Sequence, residues 1–207
     1  APDFRGSVVT IPYGAPQIDL PNVPARPARA RGDKLRALFV GSLGQRKGLS
    51  YLFRAIRSLG DSVELTVIGS RPLVECPALD RELRAVRWIP TCTHHEVLAE
   101  MAAHDVFVFP SLFEGFGLVL LEAMAMGLPI VTTPHTAGPD LITDGIEGFI
   151  VPVRSSETIA ERLDLLRRNP DLRVDMAERA RARASEFTWA QYGESLAACV
   201  SSGLVHA

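Results

Sequence analysis

The sequence predicts an α/β fold: a doubly wound parallel sheet with helices on both faces and additional helices at the carboxyl-terminal end. Three observations carry this expectation. Apolar runs of strand length recur at 35–40, 63–68, 85–89, 105–109, 128–132 and 148–151. In the fourth run Val106, Phe107, Val108 and Phe109 are apolar at every position and not at alternate ones, as expected of a strand buried on both faces. Helical segments separate most of these runs, which makes the connections parallel crossovers. The loops that follow the runs, 41–48, 69–72, 89–93, 110–117 and 133–140, are rich in Gly, Pro and charge. In sheets of this kind ligands bind at the carboxyl ends of the strands.

Taken in order, residues 1–34 hold Pro, Ala and Arg without a sustained period and read as a linker from a preceding domain with one edge element at 7–11. The basic cluster at 26–31 reads as a solvated loop. Regular structure begins at Leu35. A strand, a glycine loop and a helix over 49–59, with Leu52, Phe53, Ile56 and Leu59 on one face, make the first unit. The strand at 63–68 is followed by a weak helical stretch around 79–83, and the short strand at 85–89 by Thr93, which caps a helix over 94–103 with Glu96 as its capping-box partner. His94 reads as a cap-region residue and not as a metal ligand, because on a helix His94 and His95 point in different directions. The strands at 128–132 and 148–151 flank a short helical turn within 138–145. Ser155 begins a helix to Arg168, Asn169 and Pro170 restart a second to about 185, and Thr188 caps a third through 200.

The whole chain is organised around residues 111–127. After the fourth strand, Gly115 and Gly117 let the backbone turn sharply, and good helix formers follow from Leu118 to Met126 until Gly127 and Pro129 stop them. A glycine turn feeding a helix leaves backbone N–H groups unpaired at the positive end of the helix dipole, a ready site for phosphate. Glu114 stands in the turn and Glu122 on the helix. A carboxylate there accepts two hydrogen bonds, which suits the vicinal diol of a ribose or hexose. The same two residues also read as an ordinary loop charge and an ordinary helix-surface residue. Loop 41–48 is neither G-x-x-x-x-G-K-[ST] nor G-x-G-x-x-G, since Gly48 follows Lys47. What it offers is Arg46 and Lys47 at the ligand edge, ahead of a helix whose dipole they oppose, a conflict that an anionic ligand removes. Cations for a diphosphate and carboxylates for hydroxyls are the chemistry of a nucleotide-sugar site.

With 207 residues and a net charge of −2, the chain is long enough for a proper core and gives no reason to expect nucleic acid or an acidic membrane surface as a partner. It holds no apolar run long enough for a transmembrane segment. Cys76, Cys92 and Cys199 are odd in number and lack metal-ligand spacing, which fits reduced thiols in a cytoplasmic protein. The sequence opens without Met and reads as a portion of a longer chain.

These residues resemble the retaining glycosyltransferases of the GT-B fold, in particular the group 1 family. Glu114-Gly-Phe-Gly-Leu-Val-Leu-Leu-Glu122 is similar to its E-x7-E element, residues 41–48 to its G-x-x-x-x-x-K-G loop, Val67-Ile-Gly69 to its second-strand glycine turn, and residues 138–148 to the segment that follows. The resemblance covers roughly 7–200 and implies the Rossmann-like, carboxyl-terminal half of such an enzyme. Residues 35–207 would then form the nucleotide-sugar donor-binding domain, with carboxyl-terminal helices from about 155.

The resemblance also implies roles. Gly41, Arg46 and Lys47 would hold the donor diphosphate, helped by the amides of Leu118 and Val119. Glu122 would bind the ribose hydroxyls. Glu114 would be the catalytic residue facing the transferred sugar, with the backbone of Phe116 and Gly117 against its hydroxyls, and Ile89 and Pro90 would meet the base. Ser42 and Pro90 depart from the residues usual in the family, Arg and Gly respectively, so the clamp would lean on Arg46. No cofactor and no metal is expected, in keeping with the lack of an Asp-x-Asp motif, and the nucleotide diphosphosugar is a substrate. The implied activity is hexose transfer to an acceptor glycan, lipid or small molecule held by an amino-terminal domain. The piece alone is expected to be inactive, and the location cytoplasmic or peripheral at the inner face of the membrane. A non-catalytic nucleotide-sugar-binding module and a GT-B hydrolase or epimerase are the alternatives.

Overall fold

In the computed structural model, which describes residues 9–15 and 33–204, a single six-stranded sheet organises the chain. Its strands are β1 (Leu35–Val40), β2 (Val63–Ile68), β3 (Arg87–Ile89), β4 (Val106–Phe109), β5 (Ile130–Thr132) and β6 (Gly148–Ile150). All neighbours pair in parallel, in the order β3-β2-β1-β4-β5-β6. The order reverses direction between β1 and β4, the switch point outside which ligands bind in sheets of this kind. The predicted doubly wound α/β architecture is the one observed.

The helices are α1 (Leu49–Leu59), α2 (Pro77–Leu83), α3 (His94–Ala103), α4 (Leu118–Ala125), α5 (Gly138–Leu141), α6 (Ser156–Arg168), α7 (Pro170–Ala184) and α8 (Trp189–Leu204). Right-handed crossovers put the helices of the β1-β2-β3 half and those of the β4-β5-β6 half on opposite faces. α1 packs on α6, and α4 packs on α7. Their starts follow the local chemistry: Thr93 closes a complete capping box with Glu96, Ser155 accepts the Thr158 N–H, and Pro77, Pro139 and Pro170 occupy first-turn positions where no amide hydrogen is needed.

The core lies along the two central strands. Every residue of β4 is buried, and Phe109 stacks on both Phe39 and Phe107 with ring centroids 6.0 Å apart in each pair. Burial continues through Leu38, Leu52, Leu120, Leu121 and Met124 to Leu163 and Leu166 of α6. His104, just after α3, is buried with Nε2 2.9 Å from the Thr66 hydroxyl and Nδ1 2.5 Å from the Glu100 carbonyl, which fastens α3 to β2.

β5 begins at Ile130 and not at 128, and β6 ends at Ile150 and not at 151; three further differences from the sequence expectation have a tertiary reason. Asp105 stays out of β4 because its buried carboxylate accepts the Arg36 backbone N–H at 2.9 Å and the Arg36 guanidinium at 3.2 and 3.3 Å. β3 is an edge strand that pairs only through Arg87, Trp88 and Ile89, so 85 and 86 are left out. Residues 9–11 form no strand. The segment instead docks on the start of α8, where Ala15 N–H donates to the Phe187 carbonyl at 2.7 Å and Tyr13 packs among Phe116, Trp189 and Tyr192. The rest of the 7–11 edge element, most of the 1–34 linker and the 26–31 basic cluster lie outside the described residues.

The two central loops approach closely at Gly48, which precedes α1 with φ at +69°, and whose Cβ, if present, would lie 2.0 Å from the Pro110 carbonyl oxygen. Gly48→Ala therefore combines a left-handed backbone with a clash against main chain. It is expected to lower the unfolding free energy by about 2 kcal/mol or more, measured by urea denaturation; a loss within about 0.5 kcal/mol, the range of an ordinary surface change, would show that the two loops are not in contact here.

Candidate functional site

The loops at the carboxyl ends of the strands are fastened edge to edge by backbone hydrogen bonds. Gly41 N–H donates to Ile68 O, Leu43 N–H to Ser70 O and Gly69 N–H to Ile89 O, each at 2.9 Å. Gly69, with φ at +146°, has no room for a side chain, because a Cβ there would sit 2.0 Å from the Gly41 carbonyl oxygen. The loop after β1 is thereby set against the loop after β2, and that in turn against Ile89. Of the two residues expected near a base, Ile89 is half-buried with its carbonyl engaged by Gly69, and Pro90 is exposed.

Gln45–Lys47 form one 3-10 turn that closes on Gly48. The turn sends Arg46 outward and Lys47 inward. The Lys47 side chain is only 9% exposed, and its ammonium lies 4.6 Å from the centroid of the Phe109 ring. Glu114 is the counter-ion of both cations: one carboxylate oxygen pairs with Lys47 Nζ and the other accepts from Arg46 Nη1 at 2.9 Å, while Arg46 Nη1 also lies 3.4 Å from the Phe113 carbonyl. The main chain reinforces the link, since Leu112 N–H donates to the Arg46 carbonyl at 2.7 Å. Burial pushes the Glu114 carboxyl up, and hydrogen bonds and charge from Lys47 and Arg46 outweigh it, holding the group below the usual carboxylate range.

From the other side Glu114 N–H donates to the His135 carbonyl at 2.9 Å, the His135 Nδ1 lies 2.9 Å from the Leu112 carbonyl, and Ala137 N–H donates to the Phe116 carbonyl at 3.0 Å. The glycine turn is thus held between the loop after β1 and the loop after β5. Gly117, at φ +89°, turns the chain into α4, whose first amides, at Leu118 and Val119, have no acceptor within the helix. Leu118 is exposed, Val119 and Phe116 are half-buried, and Glu122 projects from the same helix with its side chain 21% exposed.

The residues singled out from the sequence lie at the carboxyl ends of β1, β3 and β4, in the loops that follow them and on α4. Arg46, Lys47 and Glu114 are in direct contact, and Phe116, Gly117, Leu118, Val119 and Glu122 follow along the turn and the helix. Two features escaped sequence reasoning. His94, read as a cap-region residue, does open α3 beside its cap, yet its Nε2 also lies 3.1 Å from Glu122 Oε1. Ser111 is fully buried, and its hydroxyl has no hydrogen-bond partner among the described residues. Neither feature has a signal in residue spacing.

Among the described residues no group of three or more His, Cys, Asp or Glu side chains is arranged to hold a metal ion, and no helix is long and apolar enough to cross a membrane. A cavity of about 630 Å³ lies at the opposite edge of the sheet, beside Phe53, Ile56 and Arg57, where Lys34 pairs with Glu64 and Arg57 with Glu82.

Comparison with known proteins identifies this arrangement. The D-inositol 3-phosphate glycosyltransferase of Corynebacterium jeikeium is 33% identical over 172 residues, which are 76% of this chain and 41% of that protein. A structure of Anabaena Alr3699/HepE in complex with UDP and glucose superimposes with a TM-score of 0.74 at 22% identity, covering 82% of this chain and 49% of that one. The sucrose-phosphate synthase of Thermosynechococcus elongatus gives 0.75 at 23%, covering 95% and 53%. The chain spans less than half the length of the curated relatives it matches first, and at these identities the two structures show the fold, that of GT-B glycosyltransferases. The family described as glycosyl transferases group 1 matches residues 25–183, so the chain belongs to the glycosyl transferases group 1 family.

Proposed function

We propose that this chain is the donor-binding domain of a retaining glycosyltransferase that moves a hexose from a nucleotide diphosphosugar to an acceptor held by a further, amino-terminal domain. The observation that carries the reading is the pairing of two cations with one carboxylate, Arg46 and Lys47 with Glu114, beside the open amino terminus of α4. Two positive charges against one negative leave the junction of Arg46, Lys47 and Glu114 cationic, and the α4 amides add to it. A diphosphate brings the missing negative charge. By taking over Arg46 and Lys47 it frees Glu114 to face the sugar, and it places the ribose toward Glu122. The structural neighbours named as complexes with UDP and with UDP-glucose support this choice of ligand.

In this reading Arg46, Lys47 and the amides of Leu118 and Val119 stabilise the charge that develops on the leaving nucleoside diphosphate, at a site that needs no metal ion. Gly41 lets the diphosphate approach the end of β1, the backbone of Phe116 and Gly117 faces the sugar hydroxyls, and Ile89 and Pro90 lie where the base is expected. The location is cytoplasmic, or peripheral at the inner face of a membrane.

Calorimetric titration with UDP, GDP and ADP tests the site. One nucleotide is expected to bind selectively, and Glu122→Ala or Lys47→Ala to weaken it by about 1 to 3 kcal/mol, the loss of one charge-assisted contact, with the fold kept by circular dichroism. Unchanged affinity in both variants would remove the assignment. The ionised Glu114 gives a second expectation. Its depressed folded-state value means that its contribution to stability is present above the unfolded value and is lost as pH falls through the folded one. Glu114→Gln should therefore be less stable than wild type at pH 7, and the gap should close on acidification below about pH 4.3, the usual glutamate value, as followed by denaturation midpoints. A gap that persists at pH 2 would mean that packing and not charge holds Glu114.

A further inference from the structure

We propose that His94 is a positioning residue for Glu122 and so sets the selectivity of the crevice for a ribose over a deoxyribose. The inference rests on the donor-binding reading above and deepens it. The contact that carries it is His94 Nε2 to Glu122 Oε1 at 3.1 Å, made across 28 positions of sequence between the first residue of α3 and the second turn of α4.

A carboxylate only accepts hydrogen bonds, so Nε2 carries the proton in this contact and His94 is the donor. Its backbone is fixed independently of the contact. Thr93 N–H donates to Glu96 Oε2 at 2.6 Å and Glu96 N–H to Thr93 Oγ1 at 3.3 Å, so the cap locks the residue immediately before His94. From that anchor the imidazole reaches Glu122 with two torsions to set, whereas Glu122 has three. The rigid partner therefore aims the flexible one. With one lone pair of Oε1 engaged by His94, Oε2 and the second lone pair of Oε1 remain as acceptors for two adjacent hydroxyls.

The exposure of the pair argues for a binding role. The His94 side chain is 60% exposed and Glu122 21%, and contacts that open to water add little to stability. The placement argues for nucleotide recognition in particular. His94 follows directly on loop 89–93, where the base is expected, so the segment that would read the base also holds the carboxylate that would read the sugar attached to it.

The test is titration of the chain with UDP, GDP and ADP, and with the 2′-deoxy counterpart of the one that binds. Wild type is expected to prefer the ribonucleotide. His94→Ala should weaken the ribonucleotide by about 3- to 10-fold, as for loss of one modest hydrogen bond, and leave the 2′-deoxy form unchanged, so that the preference collapses. His94→Gln, which keeps an N–H donor near the position of Nε2, should restore most of it. An equal loss for both nucleotides, or an unchanged preference in His94→Ala, overturns the proposal. Glu122→Ala separates the two levels: if it abolishes the preference while His94→Ala does not, only the role of His94 fails, and if wild type binds no nucleotide or Glu122→Ala keeps the preference, the donor-site reading fails and this inference with it.

Discussion

Everything at the carboxyl edge of the sheet depends on how one buried lysine is neutralised. Lys47 is turned inward by the single 3-10 turn before α1, against Phe109 and away from water. An ammonium in such a place is costly unless paired, and removing the partner of a buried ion is more damaging than never having placed it there. Glu114 supplies the counter-charge from the loop after β4, and Arg46 shares it from the solvent side. The two loops are therefore joined by electrostatics as well as by the Leu112 to Arg46 hydrogen bond and the close approach of Gly48 to Pro110. An anion recognised here would meet the same two cations that Glu114 pairs with, and would need no new arrangement.

The reversal of strand order between β1 and β4 makes such a junction possible. It sets the loop after β1 beside the loop after β4 at the switch point, and parallel pairing keeps both strands in register below them. The remaining loops lean on these two. Gly69 is pressed against Gly41, and the Ile89 carbonyl holds Gly69 in turn, so the edge is one continuous lining and not five independent loops. Membership of the glycosyl transferases group 1 family agrees with this architecture.

How much of this was legible in the sequence depends on the range of the interaction concerned. The six strands, the capping box of α3 and the proline start of α7 arise from neighbours within a few residues, and their patterns stand in the chain itself. The exceptions were settled at a distance: Asp105 is drawn from β4 by Arg36, and residues 9–11 are drawn from the sheet by α8. The same divide runs through the site. Glycines, cations and carboxylates in the right loops could be read off, since loop composition is local. That Glu114 joins Arg46 and Lys47 across 68 and 67 positions, and that His94 meets Glu122 across 28, could not, because no periodicity in a sequence encodes which side chains meet when two loops fold over a sheet edge.

The aromatic group around Tyr13 links separate parts of the chain. Its ring stands edge-on to Phe116 at 4.9 Å and within 6.0 Å of Trp189 and 5.2 Å of Tyr192, and Gly14 lies so close to the Trp189 main chain that a Cβ would be 2.3 Å from its nitrogen. Tyr13 thereby joins the segment 9–15 and the first turn of α8 to Phe116, in the glycine turn that bears Glu114.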